Sequence, residues 1–280
     1  MRLRISNQVG KGESGVSGPC EQEAQKWAAI DTAHSALITG AGSGVGAAIA
    51  VGLAACGMRV AVTDLDKAKA DDVARRIIDA GGTAAAQAID VSDRSSVSTG
   101  FDHMEDSLGS IGYLVNSAGI SQRRRLLDIT PDDWERLTSV NGLGALLCMQ
   151  EGARRMIANG ITGRIVNITS TAARRPNPGF AHYASTKAMV SSLIQSGARA
   201  LAPHGITVMG IAPGIVQTPM WEGIEADSEG ARIGDYADRI LLGRVSTPDD
   251  IVGAAVFLAS RASDYMTGQV VMVDGGMVLV

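Results

Sequence analysis

The sequence predicts an α/β fold in which one doubly wound parallel sheet of about seven strands carries helices on both faces. Three observations support this. From residue 35 to the C-terminus, short apolar runs alternate with longer helical patterns, as in a parallel sheet covered by crossover helices. A glycine-rich turn follows the first run directly. No break in composition divides residues 34–280, so one domain is expected there, behind an extension over residues 1–33.

The elements follow in order. Up to Pro19-Cys20 the extension is rich in Gly and Ser and lacks apolar periodicity, which predicts a flexible tail. Glu21 to Ala33 allows a short helix with Trp27, Ala28 and Ile30 on one side. Ser35–Thr39 reads as the first strand, the glycine turn follows, and a helix runs from Val45 to Cys56. Met58–Thr63 is the second strand and Lys67–Ala80 a helix closed by Gly81-Gly82. Ala84–Ile89 is the third strand, Ser95–Leu108 a helix and Tyr113–Asn116 the fourth strand. One long helix is expected from Pro131 to Asn159. Arg164–Ile168 is the fifth strand, Ala181–Leu201 a helix, Ile206–Ile211 the sixth strand. A helix over Pro248–Ser260 and a last strand over Val270–Val273 complete the pattern.

Composition narrows the function. The 280 residues are 45% hydrophobic and 19% charged, as in ordinary globular proteins. A net charge of −4 and only 4% aromatics argue against a nucleic-acid partner. The cysteines Cys20, Cys56 and Cys148 are odd in number, widely spaced and without paired zinc spacing, which fits a reducing cytoplasm. His34, His103, His182 and His204 are scattered, and no metal site is legible. No apolar run is long enough to span a membrane, and the start Met1-Arg2-Leu3-Arg4 lacks the apolar stretch of a signal peptide. A cytoplasmic protein acting on a small molecule is expected.

The glycine turn predicts a nucleotide. Gly40, Ser43, Gly44, Val45 and Gly46 span the junction of the first strand and first helix. There glycines permit a tight turn and let backbone approach a pyrophosphate at the helix N-terminus. The G-x-x-x-G-x-G spacing differs from G-x-G-x-x-G, so its position matters more than its pattern. Asp64 ends the second strand, where a carboxylate accepts hydrogen bonds from a ribose and repels a 2′-phosphate. No basic residue follows directly, so NAD is expected over NADP; a solvated strand end is the competing use of Asp64. Asp90-Val91 closes the third strand, within reach of an adenine amino group. Asn116-Ser117-Ala118-Gly119 closes the fourth, where Ala118 and Gly119 let a dinucleotide lie flat.

Tyr183 and Lys187 are four apart, hence one turn apart on one helix face. A neighbouring ammonium favours the tyrosinate over a phenol that normally titrates near about 10, so a lowered Tyr183 pKa is expected. Ser170, thirteen residues upstream, offers a hydroxyl to orient a substrate oxygen. Asn167-Ile168-Thr169 matches a glycosylation sequon but falls in an expected buried strand. Arg123-Arg124-Arg125, after the fourth strand, is read as a solvated charge run, with an anionic substrate or partner as the alternative. His182 neighbours Tyr183 but points about 100° away around the helix.

Thr39 to Gly46, Asn116 to Gly119, Asn141, Ser170, Tyr183-x-x-x-Lys187 and Pro213-Gly214, in that order, resemble the short-chain dehydrogenase/reductases. The resemblance covers residues 35–280, including Thr267-Gly268-Gln269 and Val273-Asp274-Gly275-Gly276. It implies a Rossmann-type fold with Tyr183 as general acid/base. Lys187 would lower the tyrosine pKa and hold the nicotinamide ribose, Ser170 would hydrogen-bond the substrate oxygen, and Asn141 would support a relay water. Pro213, Gly214, Val216 and Thr218 would contact the nicotinamide end. Ser117 departs from the family, where a second Asn is usual, and the N-terminal extension is a second departure. Gly214 to Trp221 and Ser263 to Gly268 are similar to the acetoin (butanediol) and sugar-alcohol dehydrogenase branch, with Met220 and Trp221 as a lid. The resemblance therefore implies NAD-dependent interconversion of a small secondary alcohol, a polyol or hydroxyketone, and its ketone. A 3-oxoacyl or other ketone reductase is the alternative enzyme, and a non-catalytic dinucleotide-binding regulator the alternative of another class. A homotetramer or homodimer, formed through the helix carrying Tyr183 and the one before it, is also implied.

Overall fold

A computed structural model describes residues 26–226 and 232–279. Seven parallel strands form one sheet in the order β3-β2-β1-β4-β5-β6-β7. They are β1 (Ser35–Thr39), β2 (Arg59–Asp64), β3 (Thr83–Ala88), β4 (Ile111–Asn116), β5 (Arg164–Ile168), β6 (Thr207–Pro213) and β7 (Val270–Val273). The chain steps outward from β1 to β3, then crosses back to lay β4 on the other side of β1. That reversal opens a crevice at the carboxyl ends of β1 and β4, where such sheets bind ligands.

Eight α-helices are described: α1 (Gly44–Ala55), α2 (Lys67–Asp79), α3 (Arg94–Leu108), α4 (Pro131–Leu137), α5 (Gly144–Ala158), α6 (Ala181–Leu201), α7 (Pro219–Ala226) and α8 (Asp249–Ala259). The strands are short apolar runs because both sheet faces are covered. In β1, Ala36 and Ile38 face a core with Ile49 and Leu53 of α1 and Ile251 and Leu258 of α8. Leu37, between them, faces the opposite core with Phe101, Met156 and Ile194 of α3, α5 and α6. Period-2 alternation thus survives inside a fully buried strand. The helices α1 and α8 pack closely where Gly52 lacks a side chain, since a Cβ there would lie 2.3 Å from Val252 Cγ1.

Side-chain caps start several helices. Asp66 accepts from Ala68 and Lys69 N–H at the head of α2, and Asp93 accepts from Ser96 N–H at the head of α3. Thr130 and Asp133 form a reciprocal capping box on α4.

One sequence expectation changes, and one lies mostly outside the described residues. The single helix expected over Pro131–Asn159 is interrupted by a π-helical turn at Thr138–Leu143. Residues 1–25 of the expected extension lie outside the described residues, and its last residues lie against the body. Ile30 bridges Ser260, and Arg261 N–H donates to Ala29 carbonyl oxygen. The Arg59 guanidinium donates to the carbonyls of Thr32, Ala33 and Leu108, strapping the segment beneath the sheet.

Candidate active site

A cleft of about 280 Å³ opens over the carboxyl ends of the strands. One wall is the turn between β1 and α1, with Gly40, Ser43, Gly44, Val45 and Gly46 lining it. Each framework glycine has a steric reason. Gly40 and Gly44 have φ of 63° and 55°, the left-handed region that side chains disfavour. A Cβ on Gly40 would lie 2.6 Å from Ala118 Cα, and one on Gly46 would lie 2.3 Å from the Gly40 carbonyl oxygen. No side chain caps α1, so its first backbone N–H groups remain available to an anion.

Asp64 lines the cleft at the end of β2, where its Oδ2 accepts from Gly42 N–H at 3.0 Å. Gly119 supplies the floor, and Pro213, Gly214, Val216 and Thr218 supply the far side. A glycine cradle at a helix N-terminus, with a carboxylate at the next strand end, fits the pyrophosphate and adenosine ribose of a dinucleotide.

Four expected cofactor residues do not line the cleft. Asp90 lies beyond β3, where its Oδ1 accepts from the Ser92 backbone N–H at 2.9 Å and from the Ser92 hydroxyl at 2.6 Å. Val91 is buried against Gly144. Asn116 turns into the sheet, its Nδ2 donating to Asn167 Oδ1 at 2.9 Å. Ala118 sits behind the wall, its Cα packed on Gly40. Asp90 and Asn116 are engaged because their polar groups find partners within the protein, whereas Val91 and Ala118 are held by packing on Gly144 and Gly40. Ser117, where the usual second Asn is absent, does line it. Asn167, of the apparent sequon, is 1% exposed.

The catalytic candidates converge from β5 and α6. Ser170 and Tyr183 line both the cleft and an adjoining cavity of about 110 Å³. Lys187 is buried, and its Nζ lies 5.7 Å from the Tyr183 ring centre. That ammonium donates to the Ile168 carbonyl at 2.9 Å. Asn141, on the π turn, does not line the cleft. Its Oδ1 accepts from Ile120 N–H and its Nδ2 donates to Ile120 carbonyl, both at 2.9 Å. The same Nδ2 donates to Thr186 Oγ1 at 3.0 Å, so Asn141 ties the loop after β4 to α6.

The expected lowering of the Tyr183 pKa is not found. Burial pushes the phenol up to about 12, while a hydrogen bond from Ser170 pulls the other way. Burial also brings Lys187 down to about 8, since desolvation disfavours each charged form. Tyr183 and Lys187 do share a helix face, and it is the dryness of that face that raises one pKa and lowers the other.

Thr39 opens the glycine motif in the sequence, but its role is visible only in the fold. Its buried Oγ1 accepts from the N–H groups of Ser117 and Ala118 at 3.1 and 3.2 Å, fixing the end of β4 beside the glycine turn. Phe180 and Tyr236 were missed by sequence reasoning. Met220 and Trp221, the expected lid, line the cavity, and Trp221 lies 6.1 Å from Phe180 and 5.5 Å from Tyr236 between ring centres. Nothing local to residue 236 announces that contact. His182 is buried, its Nε2 3.2 Å from Gln122 Oε1, outside the lining of these cavities.

Among the described residues no cluster of His, Cys, Asp or Glu could hold a metal, and no helix is long and apolar enough to cross a membrane. The family model described as enoyl-(acyl carrier protein) reductase matches residues 40–278. The chain is 39% identical to L-2,3-butanediol dehydrogenase of Corynebacterium glutamicum, covering 86% of this chain and 97% of that one. A crystal structure of a gluconate 5-dehydrogenase from Burkholderia cenocepacia, in complex with NADP and tartrate, superposes with a TM-score of 0.84. It is 38% identical, over 91% of this chain and 98% of that one. A 3-ketoacyl-(acyl-carrier-protein) reductase from Brucella melitensis, complexed with NADH, superposes with a TM-score of 0.81 at 34% identity, over 88% of this chain and 98% of that one. With the ordered motifs, the strand-end cleft and these relatives, the chain belongs to the short-chain dehydrogenase/reductase family of oxidoreductases, which bind nicotinamide dinucleotides.

Proposed function

We propose that the protein is an NAD-dependent oxidoreductase interconverting a small secondary alcohol, a polyol or hydroxyketone, with its ketone. The observation that carries this reading is the position of Ser170 and Tyr183, which face both the dinucleotide cleft and the small cavity beside it. At about 110 Å³, that cavity is smaller than the engineered void of about 150 Å³ that accepts benzene. Its size suits a short alcohol, and it adjoins a larger cavity through Ser121, Met220 and Ile224.

A bound nicotinamide dinucleotide supplies the hydride acceptor. This chain supplies position and proton transfer. Ser170 donates a hydrogen bond to the substrate oxygen, and Tyr183 takes the hydroxyl proton during oxidation or returns it during reduction. Lys187, held on the Ile168 carbonyl, places positive charge beside the phenolate and within reach of a ribose. Asn141 keeps the Ile120 loop against α6, and Trp221 with Phe180 covers the cavity and excludes water. Asp64 supports NAD, since its carboxylate repels a 2′-phosphate. The half-exposed apolar side chains Leu143 and Ile157 on one segment and Met189 on α6 support a homotetramer or homodimer. A cytoplasmic location fits the cysteine usage.

The experiment follows reduced-nicotinamide absorbance with NAD and NADP across polyols, hydroxyketones and ketones. Tyr183→Phe should abolish turnover and leave NAD binding nearly intact. Cofactor binding without turnover on any alcohol or ketone favours a regulator, and turnover with NADPH alone sinks the Asp64 argument.

A further inference from the structure

Charge is unevenly distributed on the substrate side of the cleft. The chain carries a net −4, yet the charged residues lining the two substrate-side cavities are all arginines among the described residues. Arg175 is the one in the cavity that holds Ser170 and Tyr183. Arg123, Arg124 and Arg136 line the adjoining cavity, which shares Ser121, Met220 and Ile224 with the first. Arg124 lies 3.6 Å from Asp133. Arg175 has no carboxylate partner among the described residues.

Its backbone is well placed. Arg175 N–H donates to Thr171 carbonyl at 2.9 Å, within a turn that starts where Ser170 Oγ accepts from Ala172 N–H. Asn177 Oδ1 accepts from Gly179 N–H, and Gly179 carbonyl accepts from Arg124 N–H at 2.9 Å. The loop bearing Arg175 is thus joined to the loop bearing Arg123. The rings of Phe180, Trp221 and Tyr236 wall the same cavity, and Arg175 stands exposed at its rim, where an ionic contact is screened by salt. An unpaired guanidinium there attracts anions and presents a planar fork of donors.

We propose that the substrate is a small hydroxy acid, with its carbinol at Ser170 and Tyr183 and its carboxylate on the Arg175 guanidinium. The inference rests on the dehydrogenase reading and names the substrate class within it. One planar fork matches one carboxylate in bidentate fashion, whereas the three-arginine cavity lies away from the catalytic hydroxyls.

The test compares matched neutral and anionic substrates at saturating cofactor: 2,3-butanediol against 3-hydroxybutyrate, and sorbitol against gluconate. The acid of a pair should have the higher kcat/KM, and its advantage should shrink as sodium chloride rises. Arg175→Gln should raise KM for the acid about ten- to a hundred-fold with little change in kcat. The effect on the neutral partner should be much smaller, and Arg175→Lys should recover part of the loss. A preference for the neutral substrate, an unchanged KM in Arg175→Gln, or a larger loss in Arg123→Gln overturns the assignment. Calorimetric titration of gluconate into the NADH-loaded protein reads the contact without turnover, because the reduced cofactor cannot accept a hydride. Equal affinity of wild type and Arg175→Gln overturns the anion site. Binding lost only in the variant, with no turnover on any substrate, supports the site and overturns the dehydrogenase reading.

Discussion

The Lys187 ammonium donates to the Ile168 carbonyl at 2.9 Å, so a cation on α6 is anchored to β5 two residues before Ser170. A second bond reinforces the junction, because Thr169 Oγ1 donates to the Lys187 carbonyl at 3.1 Å. The strand end carrying Ser170 and the helix carrying Tyr183 are therefore joined at the base of the site. Their separation is set by protein contacts before any ligand arrives.

Lys187 gives a pH signature. Its pKa falls from 10.5 to about 8 in the folded protein. Between those values the unfolded chain holds the proton and the folded one does not, so stability rises with pH across that window. The raised Tyr183 pKa acts oppositely above 10. Thermal unfolding of the wild type should therefore gain from about pH 8 to pH 10 relative to Lys187→Met. Parallel curves for the two proteins would contradict it.

Gly46→Ala should damage the cofactor turn. Its Cβ would lie 2.3 Å from the Gly40 carbonyl oxygen, a backbone atom that cannot rotate away. Overpacking of this kind costs about 1–3 kcal/mol, and the turn must move. Fluorescence titration with reduced dinucleotide should show binding weakened at least about tenfold, alongside a lower Tm.

Asn141→Ala should loosen the loop after β4. It removes the partner of both backbone groups of Ile120 and one partner of Thr186. Leaving buried polar groups unpaired costs about 1–3 kcal/mol. Turnover should drop more than cofactor affinity, and hydrogen exchange should quicken at Ile120.

Arg155 separates stability from activity. Its guanidinium meets Asp102, Glu105 and Glu151 at 2.8, 2.7 and 2.7 Å, joining α3 to α5 far from the cleft. Arg155→Ala should lower stability by about 1–3 kcal/mol, allowing for partial solvent screening of these groups. The kcat of the folded enzyme should stay close to wild type.

Much of this architecture was legible because its signals are local. Ser35–Thr39 has an apolar centre in Ala36, Leu37 and Ile38, and the turn after it places glycines at the two left-handed positions, Gly40 and Gly44. The Tyr183–Lys187 spacing fixes a shared helix face. What escaped depends on distant partners. Asn116 sits at a strand end like Asp64, but it meets Asn167 on the neighbouring strand and turns inward, which a single segment cannot reveal. The phenol's raised pKa reflects how α6 packs, and Tyr236 reaches Trp221 only through the tertiary fold.

The π turn at Thr138–Leu143 has a reach beyond Asn141. A wide turn holds one residue more than regular winding would, and each residue advances a helix by about 100°. Deleting that residue would straighten the winding and rotate Leu147, Met149 and Met156, which face the core from α5, away from the sheet. The Asn141 tie to Ile120 and Thr186 and the hydrophobic core thus share a single phase along this segment, and shortening it cannot realign one without misaligning the other.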